Sequence, residues 1–117
     1  MEDVTPITLA RARPHGNRAR VFFNRFELRL ILDIYGRMVA AGNWRDYAMD
    51  QVDGTAVFAA YRRASEMPEY RIVKAPRLAR KQGAYLILGS AGQVLKRGHS
   101  LANALKIFEA KLLKLVN

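Results

Sequence analysis

The sequence predicts an α+β domain in which an antiparallel sheet of about five strands carries two helices on one face, in the order (β)-α-β-β-β-β-β-α. Three observations carry that expectation. Apolar residues recur at helical spacing over 25–41, switch to a period of two over 45–97, and return to helical spacing over 101–115. Three connections in the period-two region have hairpin or turn chemistry: Asp53-Gly54, Met67-Pro68 and Gly89-Ser90-Ala91-Gly92. Half of the 117 residues are apolar, which is enough to fill one core of this size.

Residues 1–18 read as a basic flexible tail and 19–117 as a single domain. The tail contains Pro6, Pro14 and Gly16 and holds no period, so it cannot bury enough apolar surface to offset its ordering entropy. Arg11, Arg13, Arg18 and Arg20 make its end basic. Val21-Phe22-Phe23 is a first β-like run. Asn24 followed by Glu27 has capping-box spacing and starts a helix over about 25–41. Its predicted apolar face is Leu28, Ile31, Leu32, Tyr35, Met38 and Val39, with Gly42 as the stop. Trp44 reads as a packing anchor. Strands follow at 45–52 and 55–63, on either side of Asp53-Gly54, and then at 70–74, 84–88 and 94–97. Pro76 to Gly83 reads as one or two helical turns, opened by proline and stopped by glycine. Ser100 caps the last helix, whose buried line is Leu101, Leu105, Phe108, Leu112 and Leu115. The core predicted across the two helices is Leu28, Ile31, Tyr35, Leu105, Phe108 and Leu112.

Several function classes lack the residues they need. Without cysteine there is no disulfide framework, thiol chemistry or cysteine zinc site, and the chain suits a reducing compartment. No apolar run approaches the ~20 residues of a membrane span. Met1-Glu2-Asp3-Val4 has acids where a secretory signal has bases, so the expected location is the cytoplasm, away from membranes. His15 and His99 have no second ligand at metal spacing. Ser65 and Ser100 have no adjacent histidine, Asp46 and Asp50 share one strand face toward solvent, and the glycines form no phosphate loop. The expectation is a protein that is not an enzyme and has no cofactor or metal.

Charge points to a partner. The chain is +10, and residues 62–81 hold seven cations against two acids, whereas 25–53 hold four against five. A basic segment beside a neutral one suggests a face that meets a polyanion, and nucleic acid is the leading candidate. No helix-turn-helix or zinc-finger pattern favours duplex reading, so RNA or a single strand is preferred. Arg77, Arg80 and Lys81 project together at i, i+3 and i+4, an arrangement of like charges for which an anion gives a reason. The competing reading is a solvated basic turn. Arg62, Arg63 and Arg71 lie on neighbouring predicted strands and suit phosphate by bidentate contact. Glu66 and Glu69 between them offer an ion-pair network instead. Lys74, Lys96 and Arg97 complete the candidate set, the last two on opposite strand faces. Tyr47, Tyr61, Tyr70 and Tyr85 fall one per strand; core packing is predicted for most of them over base stacking. The alternative is a protein-interaction adaptor, homodimeric in its simplest form, that docks an acidic partner.

The strings YGRMVAAGNWRDYAMD, RRASEMPEYRIVKAPRLARKQGAY and VLKRGH resemble a family of small alphaproteobacterial proteins catalogued as a domain of unknown function, over most of residues 21–116. The resemblance implies a small bacterial cytosolic protein and brings no catalytic residues with it.

Overall fold

The computed structural model describes residues 20–63 and 67–116, with side chains as far as Lys114. The tail reading of 1–18, together with His15, Ser65, Glu66 and the Leu115 side chain, lies outside the described residues. The elements are α1 (Arg25–Ala40), β1 (Asp46–Val52), β2 (Thr55–Tyr61), β3 (Tyr70–Lys74), a 3-10 turn (Pro76–Leu78), β4 (Tyr85–Leu88), β5 (Val94–Gly98) and α2 (Leu101–Val116). The five strands form one sheet in the order β1-β2-β3-β4-β5, and every neighbouring pair is antiparallel. This is the expected α+β architecture with one correction. Val21 to Phe23 is not a strand, and α1 is the first described element. The run has no ladder partner among the described residues; Phe23 is instead buried one residue ahead of the Asn24 cap, where a hydrophobic staple packs.

Local chemistry accounts for the element ends. The Asn24 side chain accepts from the Glu27 N–H at 2.8 Å while Glu27 accepts from the Asn24 N–H at 2.7 Å, closing a capping box. Ser100 accepts from the Asn103 N–H at 3.2 Å at the start of α2. Asp53 (φ 47°) and Gly54 (φ 77°) both adopt the left-handed conformation, which a two-residue type I′ hairpin requires. That turn makes Val52 and Thr55 the hydrogen-bonded pair. The N–H groups of residues 52, 50, 48 and 46 therefore point into the ladder, and those of 47, 49 and 51 point outward from the sheet edge. Two of the three outward groups are already occupied. Tyr47 N donates to Asp46 and Gln51 N to Asp50, at 2.8 and 2.7 Å.

Both helices pack on one sheet face. Ile31, Phe58, Ile72, Ile87 and Phe108 are fully buried between the layers. Trp44 and Tyr70 meet Phe108 edge-on, with ring centroids 5.0 and 4.9 Å away, and Tyr47 stacks on Phe58 at 4.9 Å. The buried line of α2 is the predicted one: Leu101, Leu105, Phe108 and Leu112, with Ala104 added. In α1 the contact strip is rotated from the prediction. Glu27, Ile31, Ile34 and Met38 are buried, Leu28 and Tyr35 flank them half-buried, and Leu32 and Val39 are exposed. The apolar band of this helix is wider than the strip that the sheet covers, and periodicity alone does not mark its centre.

Candidate nucleic-acid interface

The β3–β4 connection is a pinned cationic loop. Ala75 N donates to Ala84 O at 2.6 Å, and Leu78 O accepts from the N–H groups of Lys81, Gln82 and Gly83 at 3.0–3.1 Å. Gly83 has φ +92°, and a Cβ there would lie 2.1 Å from the Gly98 carbonyl carbon and 2.6 Å from His99 N. Only glycine lets the loop close against the end of β5. Arg77, Arg80 and Lys81 stand exposed on this frame. Arg77 donates to the Asp53 carbonyl at 3.4 Å, and among the described residues none of the three makes an ion pair.

The other predicted site residues separate. Lys74 is not part of an open cationic face: it points to the helix side, where it pairs with Glu27 at 2.9 Å and donates to the Phe22 carbonyl at 2.9 Å. Arg71 and Arg97 lie on the sheet face away from the helices, and Lys96 on the helix side of β5. Arg62 and Arg63 are exposed beyond the far end of β2, roughly 20 Å from the loop at 3.3 Å per strand residue. Of the tyrosines, Tyr47, Tyr70 and Tyr85 face the helices, and only Tyr61 falls on the open sheet face.

Two aromatics that the sequence reading did not place in the site, Phe22 at 60 % and Phe26 at 66 %, are the most exposed in the described chain. They lie at the loop's end of the molecule, because the Lys74 bond to the Phe22 carbonyl ties that segment to the last residue of β3. Beside them, Arg20, Phe22, Leu28, Met49 and Gln51 line a cleft of about 610 Å³. The available signal was the position of Phe22 and Phe26, four apart and off the apolar stripe of α1.

Under this end lies a buried polar knot. Glu27 is 4 % exposed and accepts from Lys74, from Tyr85 and from the Asn24 N–H. Burial pushes its carboxyl pKa up, but the bonds from Lys74, Tyr85 and Asn24 outweigh it and hold the group below the ordinary value of 4.5. Burial, then Glu27, pushes the Tyr85 hydroxyl up to about 12. The two shifts predict a pH window for stability. Glu27, depressed in the fold, contributes stability above pH 4.5 that is lost as pH falls through its folded value. Tyr85, raised in the fold, contributes stability below pH 10 that is lost as pH rises toward 12. Tyr35, pushed up by burial and then by Asp46 and Tyr47, adds to the alkaline limb. Chemical denaturation across pH should show both losses, and Tyr85→Phe should weaken the alkaline dependence. An alkaline limb unchanged in Tyr85→Phe would refute the assignment.

No described helix is long and apolar enough to cross a membrane, and among the described residues no three His, Asp or Glu side chains converge as metal ligands. Fold and surface define a small basic α+β domain whose two described helices share one sheet face. The chain belongs to the family described as Protein of unknown function (DUF2794), whose model matches residues 21–105. No curated protein and no solved structure matches the chain.

Proposed function

We propose that this is a non-enzymatic cytoplasmic accessory protein that binds RNA or single-stranded nucleic acid at the end of the sheet formed by the β3–β4 loop and the segment before α1. The observation that carries the reading is the rigid presentation of Arg77, Arg80 and Lys81, without carboxylate partners among the described residues, at the same end as exposed Phe22 and Phe26. Cations that track phosphates, with aromatic faces for bases, are the two elements of single-strand binding. An acidic protein partner would use the cations but has no bases to stack on the phenylalanines.

Anisotropy of a labelled single-stranded oligonucleotide tests this. With three to five phosphates neutralised, log affinity should fall against log salt with a slope of about −2 to −3.5. Replacing Arg77, Arg80 and Lys81 together by Glu should abolish binding and leave the melting temperature nearly unchanged, because exposed charges contribute little to folding. Phe22→Ala with Phe26→Ala should weaken binding by ~1–3 kcal/mol per stacked base while leaving the salt slope in place. If an acidic polypeptide binds and oligonucleotides at matched salt do not, the adaptor reading takes over.

A further inference from the structure

The sheet face away from the helices is apolar and covered by neither helix. Val57, Leu86 and Leu88 are half-buried, Ala59 and Val73 are buried, and none of them belongs to the main core cluster between sheet and helices. A shallow depression of about 490 Å³ runs over Val57, Ala59, Val73 and Leu88, and Asp50 and Arg71 line it too. The edges of the sheet are poor templates for strand addition. Asp46 and Asp50 occupy two outward N–H groups of β1, and β5 carries a bulge register together with Lys96 and Arg97. A partner therefore meets the face.

The register of the ladders shows which partner fits. One row across the face reads Asp50, Val57, Val73, Leu86, Arg97, from β1 to β5. It is acidic at one margin, basic at the other and aliphatic between. The next row reads Ala48, Ala59, Arg71, Leu88, Val94. A twofold axis parallel to the strands and passing over β3 superposes each row on its own reversed copy. Asp50 then faces the partner's Arg97, Val57 faces the partner's Leu86, and Ala59 faces the partner's Leu88. A twofold axis across the strands exchanges the rows and leaves every charge opposite an aliphatic residue. Aligned sheets cross at about −30°, which displaces the margins by about 5 Å along the strands, and an arginine side chain spans that shift.

We propose that a second copy of this chain occupies the open sheet face, forming a two-sheet sandwich in which Asp50 and Arg97 pair reciprocally across a twofold axis. The inference is independent of nucleic-acid binding, since Arg77, Arg80 and Lys81 take no part in it. The two ion pairs offset part of the repulsion between basic chains and fix the register. Arg71 lies on the axis opposite its own copy and opposes association.

Charge reversal and swap in the full chain test it, read by sedimentation equilibrium. Asp50→Arg and Arg97→Asp should each weaken the dimer by about tenfold to a hundredfold, because each sets like charges face to face. The double variant should recover to within about threefold of the unmodified chain. Within one chain the two residues lie four strand spacings apart, about 19 Å, so rescue cannot arise intramolecularly. Arg71→Leu should tighten the dimer several-fold. Circular dichroism melts of the same samples separate lost association from lost folding, and Val57→Lys supplies a second disruption of the face if Asp50→Arg fails to fold. A chain that stays monomeric up to about 1 mM overturns the proposal. So does a dimer indifferent to Asp50, Arg97 and Val57, a double variant without rescue, or an Arg71→Leu chain that associates no more tightly.

Discussion

Phe108→Ala is expected to lower unfolding free energy by about 3–5 kcal/mol, the range for a large aromatic removed from a full core. Phe108 is 0 % exposed and lies where α2 meets the sheet, with Trp44 and Tyr70 both edge-on to its ring. Neither neighbour can collapse into the space, because Trp44 is itself 1 % exposed and Tyr70 is held in the β3 ladder. The cavity term therefore adds to the lost transfer free energy. Urea melts measure it, with the slope unchanged if the native state stays compact. A loss below about 1 kcal/mol would mean that α2 contributes little to the core, contrary to its packing.

Lys74→Met is expected to cost about 3 kcal/mol at neutral pH, the lower end of what breaking a buried pair costs, since the lysine side chain keeps 18 % of its exposure. Methionine preserves the aliphatic stem and removes the charge, leaving the Glu27 carboxylate buried with only Tyr85 and the Asn24 N–H as donors. The sign of the pH dependence checks the cause. Losing the Lys74 bond and charge, two of the influences that lower the Glu27 pKa, raises it, so the gap to the unmodified chain should narrow as pH falls and the carboxyl protonates. A loss independent of pH would point to packing instead.

The fold was legible because each element carried its own local signature. Asp53-Gly54 could only be a tight hairpin, Asn24 with Glu27 a helix start, and 70–74 a strand whose predicted limits match β3. What periodicity left open was rotation. Ile34 and Leu32 are equally apolar, and only the sheet decides that the first is buried and the second exposed. The surface was legible in part. Pro76 and Gly83 bracket the loop that carries Arg77, Arg80 and Lys81. The helical spacing expected for the three does not hold there, because only Pro76–Leu78 is helical, as a 3-10 turn, and Arg80 and Lys81 lie in the turns after it. Lys74 could not be read in that way, because Glu27 is 47 residues distant and the pair exists only once β3 lies under α1. The same limit hid the common end shared by Phe22, Phe26 and the loop, and the alignment of Asp50 and Arg97 at opposite margins of one row.

The most direct test of the central claim is a ¹H–¹⁵N NMR titration of the chain with a short single-stranded oligonucleotide at low salt. Shifts should concentrate on the backbone amides of Arg77, Arg80, Lys81 and Gly83 and of Phe22 and Phe26, and should fade as salt is raised. No perturbation at these amides, or perturbation confined to Arg62 and Arg63 or to the open sheet face, would contradict binding at this end of the molecule.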